Sequence, residues 1–355
     1  MGELKITRTQ APKAKLEDES KLGFGKLFTD HMFIMDFDRS SGWHDARIVP
    51  YSDFVLDPAA LVFHYAQAVF EGLKAYKNED GEVLLFRPKD NFVRLNRSAD
   101  RMCIPNIDAD EALNNLLELV RMDSGWIPTA PGTSLYIRPT IIATEPMLGV
   151  RASDKYVFFI ILSPVGAYYA EGMKPTRIYV ENEYVRAVPG GTGNTKAAAN
   201  YAASLIAGEK AHEKGFSQVL WLDGVKHANI EEVGSMNMFF VIDGELITPA
   251  LNGSILPGIT RDSILQIARS MGIKATERTI AVEEVFAAHE KGLLDEAFGT
   301  GTAAVVSAVG EMTWNGRTIK INAGEIGKYS QMLYDKLTGI QMGREADEFN
   351  WVVRV

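Results

Sequence analysis

The sequence predicts two domains that mix α-helices and β-strands, in α/β and α+β arrangements, with a ligand crevice between them. The chain has 355 residues, more than the roughly 100 to 200 of one ordinary domain. Hydrophobic residues make up 46% and charged residues 23%, a composition typical of globular proteins. Glycines and terminal prolines make 164–175 the best linker candidate. We therefore expect a small N-terminal α/β domain over 1–163 and a larger C-terminal domain over 176–355.

Local patterns assign elements on both sides of this linker. Residues 1–20 are polar and aperiodic, which predicts a flexible arm. Short β-branched and aromatic runs predict strands, and apolar residues at helical spacing predict helices. The predicted strands are Gly81–Phe86, Ser134–Ile142, Tyr156–Leu162, Ile178–Val180, Gln218–Leu222 and Asn237–Ile242. The predicted helices follow Pro88, cover Asp108–Asp123, and lie near 197–212, 260–271 and 322–339.

Charge and residue usage exclude several classes of function. The net charge of −9 argues against sequence-independent nucleic-acid binding, which needs excess Lys and Arg. No stretch approaches the roughly 20 apolar residues of a membrane span. The N-terminus lacks the apolar core of a secretory signal, so we expect a cytoplasmic protein. Cys103 is the only cysteine, and the six histidines lack metal-ligand spacing, so we expect no metal site.

One glycine-rich segment, Val188-Pro-Gly-Gly-Thr-Gly-Asn-Thr-Lys196, places a lysine at the start of a predicted alanine-rich helix. Glycines let a backbone approach a ligand closely. A nucleotide-binding P-loop would need glycine before the lysine and Ser or Thr after it, and Thr195 and Ala197 occupy those positions. By itself the loop also fits a flexible turn that carries a surface lysine.

A second glycine-containing segment, Gly299-Thr-Gly-Thr-Ala-Ala304, matches the dinucleotide-binding fingerprint by the spacing of its residues. That fingerprint must open a helix. Val305, Val306 and Val309 instead predict a strand or an irregular run, which argues against a dinucleotide site.

The segment Gly193–Tyr201 resembles the lysine segment of branched-chain aminotransferases, which are fold-type IV enzymes dependent on pyridoxal 5′-phosphate (PLP). The likeness runs nearly end to end, and it also covers 24–31, 64–75, 94–99, 135–139, 231–237, 256–261 and 298–303. The resemblance implies a fold like that of D-amino-acid aminotransferases. It places PLP in the interdomain crevice, with the C-terminal domain as the PLP-binding domain.

The resemblance also implies roles for individual residues. Lys196 forms the Schiff base with PLP and then moves the substrate proton. Glu232, rather than its neighbour Glu231, keeps the pyridine nitrogen protonated, and Tyr201 donates to the phenolic oxygen. Arg94 and the groups at a helix N-terminus bind the phosphate. The implied cofactor-binding set is Arg94, Lys196, Tyr201, Glu232, Ser235, Leu256, Ile259, Thr260 and Thr302.

The implied substrate pocket has an aromatic wall that favours branched side chains through apolar burial. Arg138 is implied for the second carboxylate of glutamate and 2-oxoglutarate. The Thr302–Ala303 amides, with the Tyr65 hydroxyl, are implied for the α-carboxylate. The wall consists of Phe24, Tyr65, Phe70 and Tyr136.

The implied reaction is transamination of L-leucine, L-isoleucine and L-valine with 2-oxoglutarate, giving 2-oxo acids and L-glutamate, by a homodimer. It serves branched-chain amino-acid biosynthesis or breakdown. D-Amino-acid aminotransferases and aminodeoxychorismate lyases share the cofactor residues, and the pocket motifs favour the branched-chain alternative over them. A non-catalytic relative that binds PLP is disfavoured because both Lys196 and Glu232 are present.

Overall fold

The computed structural model describes residues 3–166 and 174–355. The backbone divides into two compact units. The first unit comprises Met1–Ala170, Thr195–Ala199 and Ile340–Val355, and the second comprises Glu171–Asn194 and Asn200–Gly339. The short segment around Lys196 and the C-terminal residues, both expected in the C-terminal domain, thus cluster with the first unit. Most of the predicted linker, 167–173, lies outside the described residues.

The first unit is built on one nine-stranded sheet, which is antiparallel except at its β1 edge. The strand order is β1-β3-β2-β8-β7-β5-β6-β18, and β4 also pairs with β7. The longest ladder joins β7 and β8, where buried and half-buried side chains alternate along most of both strands. The strands are β1 (Lys5–Ile6), β2 (His31–Asp38), β3 (Gly42–Pro50), β4 (Ala68–Phe70), β5 (Leu73–Lys77), β6 (Val83–Phe86), β7 (Ser134–Ala143), β8 (Lys155–Val165) and β18 (Val352–Arg354).

Three helices accompany this sheet: α1 (Leu61–Tyr65), α2 (Pro88–Arg101) and α3 (Ala109–Met122). Pro88 occupies the first turn of α2, where its missing N–H costs nothing. Asp108 caps α3 by accepting from the next backbone N–H groups, which a helix start leaves without partners. The apolar faces of α2 and α3 pack into the core of this unit, together with β2, β7 and β8.

The N-terminal residues that the sequence predicts as a flexible arm are fastened to this sheet where the structure describes them. Strand β1 pairs in parallel with β3. The Thr9 N–H donates to His31 Nε2 at 2.9 Å, and His31 Nδ1 lies 2.6 Å from the buried Asp123 Oδ1. Both ring nitrogens of His31 are thus engaged, one by the N-terminal segment and one by the residue that ends α3.

The second unit holds a nine-stranded sheet that curls into a closed ring. The ring follows the order β11-β10-β9-β16-β15-β12 and closes through a β11–β12 pairing. Strands β13 and β14 continue from β12, and β17 pairs with β16. The strands are β9 (Thr176–Val180), β10 (Gln218–Leu222), β11 (Ile230–Val233), β12 (Met236–Ile242), β13 (Glu245–Pro249), β14 (Ala275–Arg278), β15 (Leu294–Gly301), β16 (Val305–Trp314) and β17 (Arg317–Lys320).

The helices that complete the described fold are α4 (Ala198–Ala202), α5 (Leu205–Glu213), α6 (Ile259–Ser270), α7 (Val282–Glu290) and α8 (Lys328–Gln341). The buried Glu296 of β15 caps α8 by accepting from the Tyr329 and Ser330 N–H groups at 2.8 and 2.9 Å. Among the described residues, no helix is both long and apolar enough to cross a membrane.

Candidate active site

Lys196 is held by hydrogen bonds on both sides of its backbone. Its N–H donates to the Ser98 hydroxyl of α2 at 3.0 Å, and its carbonyl accepts from the Phe70 N–H at 3.1 Å. Ala197 forms an antiparallel bridge with Val69, so this segment extends the edge of β4. The Lys196 amine lies 5.0 Å from the centroid of the Phe70 ring. The residue is half-buried and precedes α4, which excludes a loose surface turn.

Arg94 projects from the buried face of α2 and makes a two-point ion pair with Glu71. Arg94 Nε donates to Glu71 Oε1 at 2.7 Å, and Nη2 donates to Oε2 at 2.9 Å. The Asn91 amide donates to Oε2 at 2.8 Å. Asn91, Arg94 and Ser98 therefore form a buried polar stripe on α2, at spacings of three and four residues.

An aromatic cluster surrounds Phe70 in the same unit. The Arg138 guanidinium lies 4.6 Å from the Phe70 ring, so this ring meets the cations of both Arg138 and Lys196. Arg138 Nη2 donates to the Tyr136 hydroxyl at 3.1 Å, and the Tyr136 ring meets the edge of Phe24 at 4.9 Å. The structure thus brings together five residues that the sequence singled out.

Tyr65, by contrast, ends α1 and donates its hydroxyl to the Leu148 carbonyl. The hydroxyl proton implied for substrate binding is therefore used within the chain in this conformation.

Glu232 lies in β11 of the second unit and is buried. Its Oε2 lies 2.5 Å from Arg186 Nε, and its Oε1 accepts from the Asn237 amide at 3.1 Å. Asn237 also donates to the Leu256 carbonyl at 2.9 Å, which ties Glu232 to the loop that opens α6. Glu231 has different partners: its Oε1 accepts from Ser254 and Asn252. The two neighbouring acids therefore have different direct partners, although both sets of contacts reach the segment 252–256.

The glycine loop before Lys196 is anchored in the second unit by Arg186. Arg186 Nη2 donates to the Gly193 carbonyl at 3.0 Å and to the Ser254 carbonyl. A Cβ on Gly193 would overlap the Ser254 carbonyl and the Ala187 side chain. This close backbone approach requires glycine.

The residues of the second unit that are proposed to bind the phosphate lie on two local structures. Ile259 and Thr260 are the first residues of α6, where backbone N–H groups have no acceptor within the helix. Thr302 and Ala303 lie in the turn between β15 and β16, in which Gly301 pairs with Val305. Because Val305 begins a strand, the dinucleotide interpretation is excluded, as the sequence predicted.

The remaining proposed cofactor residues lie beside these elements. Tyr201 is half-buried in α4, Leu256 is half-buried before α6, and Ser235 is exposed in the turn between β11 and β12.

Sequence reasoning assigned no role to five side chains that hold the candidate residues within the two units: Glu71, Asn91, Ser98, Arg186 and Asn237. One signal for such a role was on α2, where Asn91 and Ser98 interrupt a run of buried apolar positions. Buried polar residues need partners, so such an interruption indicates a structural or functional network.

Comparison with known proteins identifies relatives for most of the chain. A family model described as amino-transferase class IV matches residues 68–312. Branched-chain-amino-acid aminotransferase 2 of Bacillus subtilis is 59% identical over 352 residues, covering 99% of this chain and 96% of that protein.

Solved structures agree with this match. A branched-chain amino acid aminotransferase from Escherichia coli superposes with a TM-score of 0.75 at 27% identity, covering 91% of this chain and 98% of the other. The branched-chain amino acid aminotransferase of Thermobaculum terrenum in its PLP form gives a TM-score of 0.76 at 25% identity, covering 92% and 98% of the two chains.

Proposed function

The chain belongs to the class IV aminotransferases and, within them, to the branched-chain-amino-acid aminotransferases, and from that premise we propose a PLP-dependent transamination carried out by the residues described above. The substrates are L-leucine, L-isoleucine and L-valine, with 2-oxoglutarate as amino-group acceptor. The products are the branched-chain 2-oxo acids and L-glutamate.

The chemistry of the side chains present fits PLP. The chain offers a half-buried amine on a fixed backbone, a buried carboxylate paired with a guanidinium, and a helix N-terminus whose second residue is the buried Thr260. These groups match an aldehyde, a ring nitrogen and a phosphate, respectively. A solved structure in its PLP form among the similar proteins supports the same cofactor.

When bound, PLP supplies an aldehyde that condenses with an amine and a cationic ring that withdraws electrons from the substrate Cα. Lys196 would hold the cofactor through its amine, and the same amine would carry the proton of the substrate Cα. Glu232 retains the proton at the ring nitrogen, and Arg186 fixes the orientation of that carboxylate. Tyr201 donates its hydroxyl proton to the ring oxygen. The phosphate is bound by Arg94 and by the amides of Ile259, Thr260 and Thr302, with Ser235 and Leu256 completing the cofactor set.

Substrate selection follows from the cluster around Phe70. Phe24, Phe70 and Tyr136 offer apolar surface, which favours a branched side chain by about 0.8 kcal/mol per buried methylene. Arg138 binds the second carboxylate of glutamate and 2-oxoglutarate. The Thr302–Ala303 amides and Tyr65 bind the α-carboxylate, which requires the Tyr65 hydroxyl to leave the Leu148 carbonyl.

The observation that carries this proposal is the fixed backbone of Lys196, bonded to both Ser98 and Phe70. Its test is the visible spectrum of the purified protein with PLP, with L-leucine and D-alanine added to parallel samples. We expect the visible band to disappear with L-leucine and to return with 2-oxoglutarate. A response to D-alanine alone would instead indicate a D-amino-acid aminotransferase.

The matched variants are Lys196→Ala and Lys89→Ala. Lys89 lies on α2 and its exposed side chain pairs with Asp110, so its removal leaves turnover unchanged. We expect Lys196→Ala to lose transamination by several orders of magnitude, because no other amine of the site carries the proton. Normal turnover in Lys196→Ala would refute the assignment.

A homodimer and a cytoplasmic location are part of the same proposal, on the strength of the resemblance. Sedimentation of the PLP-loaded protein tests the dimer, and a fully active monomer would contradict it. Fractionation of cells that express the chain tests the location.

A further inference from the structure

Glu71 is a carboxylate with no exposed surface, between Phe70 and Gly72. Besides the two donors of Arg94, its Oε2 accepts from the Asn91 amide at 2.8 Å and from the Gly72 N–H at 3.1 Å. Four hydrogen-bond donors therefore converge on one buried carboxylate. Three of them belong to α2, and the fourth is the Gly72 N–H, shortly after the end of β4. Such a group is fixed in position.

The electrostatic balance keeps Glu71 ionised. Burial acts to raise the pKa of this carboxyl, but the charge and hydrogen bonds of Arg94, the charge of Lys196 and the Asn91 hydrogen bond together lower it below its ordinary value. A buried ion pair is weak evidence for a gain in stability, since desolvation of both charges offsets their attraction. The position of the pair therefore requires another explanation.

Glu71 joins the two elements that hold Lys196. The residue before it, Phe70, donates its N–H to the Lys196 carbonyl and lies under the Lys196 amine. Helix α2, to which Glu71 is bound through Arg94 and Asn91, carries Ser98, the acceptor for the Lys196 N–H.

We propose that Glu71 is a positioning residue for the transamination. Its carboxylate fixes the Arg94 guanidinium for phosphate binding and places a negative charge near the Lys196 amine. This inference rests on the proposed function, in which Arg94 and Lys196 contact PLP. The ion pair uses two of the five N–H groups of a guanidinium, so orientation of the remaining ones is set by Glu71.

The test is Glu71→Gln in the full-length protein, which keeps the size of the side chain and removes its charge. Two quantities are measured: the dissociation constant of PLP from titration of the apoprotein, and the pH midpoint of the visible spectrum of the PLP-loaded protein. We expect the dissociation constant to rise about tenfold or more, the effect of losing one charged hydrogen bond. We expect the pH midpoint of the visible spectrum to fall, because Glu71→Gln removes a negative charge that interacts favourably with the charge at Lys196.

Glu118→Gln is the matched control. Glu118 lies on α3 and forms an exposed pair with Arg121, so both measured quantities stay at their wild-type values. Asn91→Ala removes one donor to Glu71 and leaves all charges, so it weakens PLP binding without moving the pH midpoint.

Each outcome decides the proposal. A Glu71→Gln protein that melts at a lower temperature but keeps the wild-type PLP affinity and pH midpoint would show a purely structural role. Should Glu71→Gln not fold, Glu71→Asp keeps the charge but withdraws it by one methylene. Wild-type PLP affinity in Glu71→Asp would then refute the positioning role. Absence of PLP binding in the wild-type protein would refute the proposed function itself, independently of Glu71.

Discussion

Asp223 provides a quantitative test of how the second unit holds the strand that carries Glu232. Asp223 follows β10, and the loop it organises leads into β11, whose Ile230 pairs with Leu222. Its Oδ1 accepts from the Val225 and Lys226 N–H groups at 3.2 and 2.7 Å. Its Oδ2 accepts from the Ala228 and Asn229 N–H groups at 3.1 and 2.8 Å. One carboxylate therefore closes the whole loop.

The pKa of Asp223 gives the expected magnitude. Burial acts to raise it, but the four backbone N–H donors outweigh burial and lower it from 3.8 to about 2. A shift of that size corresponds to about 2 kcal/mol of stability. Because Val225, in the same loop, is 70% exposed, solvent screens part of the interaction, and we expect about 1 to 2 kcal/mol.

The sign follows from the lowered pKa. The folded protein binds the Asp223 proton more weakly than the unfolded chain does, so the stabilisation is fully present above about pH 4. It declines as the pH falls from 3.8 towards about 2, and roughly half remains near pH 3.

The perturbation is Asp223→Asn, which replaces one oxygen by an amide that faces two buried N–H donors. The assay is thermal unfolding of wild type and variant, followed by circular dichroism at pH 7, 5 and 3. We expect the variant to melt about 2 to 8 °C lower at pH 7 and 5, and the difference to shrink at pH 3. An equal difference at all three values would show that the loop gains nothing from the ionised carboxylate. Asp100→Asn, an exposed acid at the end of α2, serves as control.

Two further predictions concern Gly258 and Lys74. A Cβ on Gly258 would overlap Asn237 Oδ1, so Gly258→Ala displaces the side chain that bonds both Glu232 and Leu256; we expect weaker PLP binding and a loss of about 1 to 3 kcal/mol by thermal unfolding. Gly208→Ala, in a helix with open space around it, should instead keep PLP affinity and raise stability slightly, and equal behaviour of the two variants would contradict the steric argument. Burial lowers the pKa of Lys74 from 10.5 to about 8, so the wild-type protein gains stability between about pH 8 and 10.5 as this amine loses its proton. We expect Lys74→Met to remove that gain, so that the melting temperatures of variant and wild type converge as the pH rises. Melting temperatures that change in parallel with pH would refute this expectation.

The sequence was most informative where one pattern dominated locally. The predicted strand Gln218–Leu222 coincides with β10, and the helices predicted after Pro88 and over Asp108–Asp123 are α2 and α3. The helix predicted near 197–212 is divided into α4 and α5, and α8 begins only at Lys328, after a turn with positive φ at Asn322 and Ala323.

Several elements had no usable local signal. Strand β15 contains Gly299 and Gly301, which the sequence presents as a ligand loop, and one of its two partners, β12, comes from a distant part of the chain. Strand β2 has a continuous buried run in its first half, which periodicity cannot distinguish from other buried segments. The structure of these strands is determined by the strands with which they pair rather than by their own local sequence.

The same physics separates the site residues that sequence reasoning found from those it missed. Lys196 and Glu232 lie in segments that carry the resemblance, and the resemblance assigns each of them a role. Glu71 also lies in such a segment, 64–75, but without an assigned role. Glu71 lies between an aromatic residue and a glycine, and its partners are 20 and 23 residues away on α2. A buried carboxylate can exist only if such donors are delivered to it, since burial alone would protonate it. The side chains that orient a reacting group thus depend on tertiary contacts even where the reacting group itself can be read from the sequence, and the contacts of Glu71 with Asn91 and Arg94 on α2 are the part of this site that only the folded chain discloses.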